Sequence, residues 1–99
     1  MSSYKIITTD SAKTDIKSIS TYIAKDNIRA AIAIIKLFKD STEKLSDFPA
    51  LGKHKEGIKD KDIFIYTVKQ RYSIAYKIVG DKIIILRILS NYQDIFAIL

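Results

Sequence analysis

Apolar and polar positions alternate with changing period along the chain, and the changes mark the elements. Tyr4 to Thr8, YKIIT, is β-branched and predicts a short strand. From Ala12 the apolar residues fall at Ala12, Ile16, Ile19 and Ile23, a one-sided helical stripe, with Lys13, Asp15, Lys17 and Lys25 largely off it. Thr9 or Asp10 can cap this helix. Asp26-Asn27 breaks it, and Asn27 is a good N-cap for a second helix running from about Ile28 to Ser46. The second stripe is Ala31, Ile35, Phe38 and Leu45, widened by Ile32, Ile34 and Leu37. A helix apolar over most of its girth is buried on more than one side. It is expected between the sheet and the first helix; the other option is apolar surface left for a partner chain. The short link makes the two helices antiparallel neighbours.

Phe48-Pro49-Ala50-Leu51-Gly52 ends the second helix, because proline disfavours helical geometry in the residue before it and glycine permits a turn. Lys53 to Asp62, KHKEGIKDKD, has a loop's composition. Ile63 to Lys69 reads as a strand, and Gln70-Arg71 as its turn. Arg71 to Ser90, RYSIAYKIVGDKIIILRILS, reads as two strands joined at Gly80-Asp81. In the first, Tyr72, Ile74, Tyr76 and Ile78 point one way and Ser73, Ala75 and Lys77 the other. The second, Ile83 to Leu89, is apolar on both faces except at Arg87, the pattern of a central strand. Arg87 is therefore either a paired or snorkelling arginine or an anion-binding group in a groove. It is expected on the more open sheet face, with Ser73, Ala75 and Lys77. The apolar tail, Asp94 to Leu99, should dock on the body or on a partner. The order is strand, helix, helix, three strands and a tail: an α+β fold with an antiparallel sheet and a helical hairpin on one face.

Composition narrows the functional classes. Ninety-nine residues make one domain, 1–99, with a modest core. The absence of cysteine excludes disulfides and thiolate metal sites and suits the cytoplasm. The first ten residues lack the apolar run of a signal peptide, and no stretch is long enough for a membrane span. A net charge of +6, from fourteen Lys and three Arg against eleven acids, favours an acidic partner such as nucleic acid, a ribosome or an acidic protein. Twenty Ile beside fourteen Lys also fit an AT-rich genome, which by itself raises basicity.

No motif is specific for an enzyme. Three glycines do not make a phosphate loop. The one histidine, His54, lies between Lys53 and Lys55 in the charged loop, and with scattered carboxylates it is too little for a metal site. No metal and no cofactor is implied. What stands out is a set of cations and tyrosines: Lys53, Lys55, Lys59, Lys61, Arg71 and Arg87 with Tyr66, Tyr72, Tyr76 and Tyr92. Such sets hold RNA through phosphates and stacked bases, and they also occur as core tyrosines beside solvated lysines.

One order of residues is distinctive. It runs through Ala12…Asp15-Ile16…Ile19…Tyr22-Ile23-Ala24, Ala30-Ala31, and Leu45…Phe48-Pro49…Leu51-Gly52. It continues through Arg71-Tyr72-Ser73-Ile74-Ala75-Tyr76, Ile83…Ile85-Leu86-Arg87-Ile88-Leu89 and Asp94. Over nearly its whole length the chain thus resembles the RelE/ParE superfamily of type II toxin–antitoxin toxins, on the ParE-like side. The resemblance implies a β-α-α-β-β-β fold and a cytoplasmic toxin that halts growth, of the kind associated with plasmid stabilisation. It also implies neutralisation by a cognate antitoxin whose C-terminal segment wraps around the toxin. ParE-like members inhibit DNA gyrase; RelE-like members cleave messenger RNA on the ribosome. Many members carry an arginine on the strand before Arg71-Tyr72, where this chain has Ile63, Phe64, Ile65 and Tyr66. Many also end the last strand in Leu-His with an arginine before the Asp, where it has Leu89-Ser90 and Gln93-Asp94. The usual groups for proton transfer and phosphate stabilisation are missing there, while Arg87 is retained.

The expectation is a toxin that binds gyrase. The alternatives are a ribosome-dependent ribonuclease and an inactive member that still binds antitoxin. Arg87, Arg71 and Tyr92 are the catalytic candidates; Lys53, Lys55, Lys59, Arg71, Lys77 and Arg87 are the candidates for binding RNA or a protein target. The antitoxin should be acidic with apolar anchors.

Overall fold

Thr9 marks the first transition between elements. Its extended backbone closes strand β1 (Lys5–Thr8), and its hydroxyl accepts from the Ala12 amide at 3.2 Å to cap helix α1 (Asp10–Ala24). The same hydroxyl donates to the carbonyl of Ile85 at 2.9 Å, so the cap is also a tether to a distant strand. Asn27 accepts from the Ala30 amide at 3.1 Å and starts α2 (Ile28–Asp47), with two residues between α1 and Asn27. The computed structural model describes residues 3–99. After a short 3₁₀ turn at Pro49–Leu51 come strands β2 (Phe64–Val68), β3 (Tyr72–Val79) and β4 (Lys82–Ser90), then a terminal helical turn, α3 (Ile95–Ile98).

The four strands form one sheet in the order β1-β4-β3-β2. The last three are antiparallel, as their tight turns predict. β1 instead lies parallel to β4, pairing Lys5 with Lys82 through to Thr8 with Ile85, so the sheet is mixed. A parallel neighbour needs a long crossover, and the helical hairpin is part of that connection. β4 is thus central along its first half, which accounts for its apolar character on both faces.

The principal core lies between the sheet and the helices. Ala12, Phe38 and Leu45 from the helices meet Val68, Ile74, Tyr76, Ile83, Ile85 and Ile88 from the strands. α2 is not enclosed on all sides. Ile28, Ile32 and Ile35, four and three residues apart, are 68%, 63% and 46% exposed and form an apolar stripe on its free face. The expected burial of this helix between sheet and α1 therefore holds for Ala31, Phe38, Ser41 and Leu45, and in part for Ile34 and Leu37.

The outer sheet face is covered more than its composition suggests. Ala75 is fully buried there with Ile58, Ile63 and Ile65, and Leu86, Ile95 and Leu99 pack around them. Ile58 comes from the charged loop, and Ile95 and Leu99 from the tail. The tail therefore docks on the body, but Phe96 and Ile98 stay largely exposed. At the β2–β3 turn Lys69 and Gln70 hold φ of 54° and 58°, and the Arg71 amide closes the turn on the Val68 carbonyl at 3.1 Å. The turn thus falls one residue earlier than Gln70-Arg71. It uses the left-handed region at two residues that do not favour it.

Candidate functional site

Arg87 illustrates how a charged residue is kept on an apolar strand. A bulge between Ala75 and Tyr76 shifts the β3–β4 register, so Ala75 faces Arg87. β1 ends opposite Ile85, leaving the later part of β4 as an edge beside α1. Asp15 of α1 fills that edge. One of its carboxylate oxygens accepts from Arg87 Nε at 2.8 Å and from the Ile88 amide at 2.9 Å; the other accepts from Arg87 Nη2 at 2.9 Å. The fork-to-fork pair raises the Arg87 guanidinium pKa further above its already high ordinary value. The Asp15 side chain is 11% exposed and that of Arg87 31%. Arg87 is thus a paired arginine joining α1 to β4.

Tyr76, also in the cation–tyrosine set, is a second internal clamp. Its hydroxyl donates to the Pro49 carbonyl at 2.6 Å and accepts from the Gly52 amide at 2.8 Å, fastening the Phe48–Gly52 turn to β3. A Cβ on Gly52 would collide with the Tyr76 hydroxyl and ring, so the close approach needs glycine there. Burial pushes the phenol's pKa above its usual 10.0, the Gly52 hydrogen bond opposing it.

The other candidates fall into separate places. Lys77, on the outer face, pairs with Asp60 at 2.5 Å; the contact raises the lysine's pKa and lowers that of Asp60. Lys53 pairs its backbone with Ile65 at the β2 edge, through bonds of 2.9 and 2.8 Å. Together with His54, Lys55, Tyr66 and Thr67 it lines a shallow cleft. His54 lies against the Phe64 ring, centroids 4.4 Å apart, and its Nδ1 is 3.2 Å from the Ile63 carbonyl. Lys55 stands 5.6 Å above the Phe96 ring. Lys59 is exposed on the same loop.

Arg71 and Tyr92 do come together. They line a groove of about 750 Å³ between the C-terminal half of α1 and the segment after β4. Ser18, Ile19, Tyr22 and Ile23 form one wall; Tyr72, Ser90, Asn91 and Gln93 complete the other. The Arg71 carbonyl accepts from the Asn91 amide at 2.8 Å, and Gln93 Oε1 accepts from the Ser90 amide at 2.9 Å, so the wall is braced. Tyr22 and the two serines were not singled out by the cation–tyrosine pattern. Tyr22 lies off the Ala12, Ile16, Ile19, Ile23 stripe of α1 and is exposed; the signal that marked it in the sequence is its place in the Tyr22-Ile23-Ala24 part of the resemblance.

Among the described residues no group of three His, Cys, Asp or Glu is placed to hold a metal ion. Nor, among them, is any helix long and apolar enough to cross a membrane.

The fold has close counterparts among solved structures. The chromosomal ParDE toxin–antitoxin system from P. aeruginosa contains a chain that superposes with a TM-score of 0.73 at 18% identity, over 88% of this chain and 95% of that one. A chain of the toxin–antitoxin complex RelBE2 from Mycobacterium tuberculosis gives 0.62 at 21% identity, over 90% and 99%. A conserved hypothetical protein from Helicobacter pylori gives 0.62 at 19% identity, over 91% and 97%. No curated protein matches the sequence. The architecture is thus the RelE/ParE-like α+β fold. Residues 6–95 match the family described as the ParE toxin of the type II toxin–antitoxin system, parDE, and the chain belongs to that family.

Proposed function

We propose that this chain, a single toxin domain over residues 1–99, acts in the cytoplasm by binding DNA gyrase and is neutralised by a cognate antitoxin. The family match over residues 6–95 carries this reading. The distribution of the candidate residues supports it. Arg87 is held by Asp15, Lys77 by Asp60, and His54 stacks on Phe64, away from the Arg71–Tyr92 groove. A ribonuclease needs an acid and a base converging on one phosphate. A toxin that acts by surface contact needs only exposed cations, and of the candidate residues Lys53, Lys55, Lys59 and Arg71 are exposed.

The antitoxin is an acidic chain with apolar anchors that seat on the Ile28, Ile32 and Ile35 stripe of α2. The net charge of +6 speeds the encounter, and the stripe holds the complex. The purified toxin is expected to inhibit supercoiling of relaxed plasmid by gyrase, with antitoxin restoring it. Normal supercoiling at excess toxin, with cut message in a translating extract, would replace this reading by the ribonuclease. No effect in either assay would leave an inactive member that retains antitoxin binding.

A further inference from the structure

We propose that the free chain forms a two-fold dimer in which the exposed stripe of α2 packs antiparallel on the same stripe of a second copy. The proposal does not rest on the gyrase reading. It shares the stripe with the antitoxin of that reading, so the two occupants exclude each other.

The spacing along α2 is that of a helix–helix seam. Ile28, Ile32, Ile35, Lys39 and Thr42 follow one another at intervals of four, three, four and three residues, along one face of the helix. Strict alternation of three and four is the pattern of a coiled-coil seam. α2 carries this seam beside its core face, where Ala31, Phe38 and Leu45 are buried.

The seam holds both halves of a joint. In its C-terminal half Lys39 and Thr42 border a hollow of about 210 Å³ whose walls include Ile16, Ile35, Phe38 and Ile88. A space of ~150 Å³ between apolar walls already accepts benzene, so this one has room for an aliphatic side chain. Thr42 gives its hydroxyl to the Lys39 carbonyl at 2.9 Å and needs no polar partner there. At the N-terminal end stands Ile28, the most exposed of the three isoleucines. It lies about 16 Å along the helix from Lys39, so a chain cannot seat its own Ile28 in its own hollow. A copy running the opposite way can. With Ile32 of each chain against Ile35 of the other, Ile28 of each falls beside Lys39 of the other, at the hollow. A two-fold contact repeats every interaction, so both hollows fill together.

Charge selects the same direction and limits the strength. Parallel packing would set Lys39 on Lys39. Antiparallel packing lays Lys39 along Ile28, where its stem covers carbon and its ammonium reaches water. Arg29 and Lys36 are exposed beside the seam, and each copy carries a net charge of +6, so two copies repel at long range. The seam runs about 21 Å from Ile28 to Thr42. That places the contact among small interfaces, under ~1,200 Å², which associate weakly and reversibly.

Sedimentation equilibrium of the full chain without antitoxin, from about 10 μM to about 1 mM, covers such weak association. The mass should rise from one chain toward two with concentration, and further as salt screens the repulsion. Ile32→Glu should weaken the dimer by at least about 30-fold, the effect of a central interface residue. Val79→Glu, the same kind of change at an exposed strand position, should leave it unchanged. Both positions are exposed, so the variants should keep the wild-type circular dichroism. The chain has no cysteine, so cross-linking can report direction. A mixture of Ile28→Cys and Lys39→Cys chains should form a mixed disulfide on mild oxidation, while neither variant alone should cross-link. A single sedimenting chain at every concentration overturns the proposal and leaves the stripe to the antitoxin alone. It also fails if Val79→Glu weakens the dimer as much as Ile32→Glu does, if association falls with salt, or if the mixed disulfide does not form. Antitoxin and gyrase are absent throughout, so either outcome leaves the gyrase reading standing.

Discussion

The two faces of the sheet solve the same problem with unequal resources. The inner face is covered by two long helices, and nine residues interlock there, among them Phe38, Leu45 and Tyr76. The outer face has no element of comparable length. It buries only Ile58, Ile63, Ile65 and Ala75, under a charged loop and a four-residue terminal helix. The inner side is a core by itself. The outer side is a small apolar patch made dry by segments that have little other reason to be ordered. Stability should therefore reside inside, while the outer cover should open first.

Graded perturbations sharpen that contrast. Phe38→Ala, in the inner core, should cost about 3–5 kcal/mol; an urea midpoint shift of the size expected for an exposed position would show the helices to be loosely packed. Asp15→Ala leaves the Arg87 guanidinium and the Ile88 amide without their partner, at about 2–4 kcal/mol. The paired change Asp15→Leu with Arg87→Met should recover much of that loss, and no recovery would mean that the ion pair serves more than attachment of α1. Tyr76→Phe removes a bond to each of Pro49 and Gly52, for about 1–3 kcal/mol at pH 7.

Tyr76 also gives a pH dependence. Its folded pKa lies above the usual 10.0, so above that pH the unfolded chain releases the phenolic proton more readily than the native one. Its contribution is complete below about pH 10 and is lost as pH rises through the folded value. As pH rises above about 10, wild type should thus lose stability more steeply than Tyr76→Phe; parallel curves would show that the phenol titrates as if solvated.

On the outer side, deleting residues 94–99 should cost about 1–3 kcal/mol, because only Ile95 and Leu99 of the tail are substantially covered. Hydrogen exchange at Ile63 and Ile65 should rise after the deletion while that at Ile83 and Ile85 does not; equal acceleration at both would mean that the faces open together. The smallest effect is a gain. Lys69→Asn with Gln70→Gly relieves two left-handed residues and should stabilise the hairpin by about 0.5–1 kcal/mol in a thermal melt.

What the amino-acid sequence determined was whatever depends on neighbours. Thr9 and Asn27 cap the helices because a side-chain oxygen reaches an amide three residues on. Gly80, at φ 62°, turns β3 into β4 because only glycine takes that conformation without cost. The resemblance pattern, spread over nearly the whole chain, carried the family and the fold. Tertiary structure decided what depends on partners distant along the chain. β1 pairs parallel with β4 because the crossover through the hairpin returns it to that edge, and no residue in YKIIT encodes the direction. Asp15 lies among polar positions on the first helix, yet it is buried because β1 stops at Thr8 and leaves the Ile88 amide to be satisfied. Ile32 and Ile35 read as part of the buried face and are exposed, because periodicity reports apolar content but not whether an element exists to cover it. Arg71 and Tyr92 share one groove for the same reason: Tyr72 pairs with Ser90 at the end of β3–β4, the Asn91 amide bonds the Arg71 carbonyl, and Tyr92 follows directly.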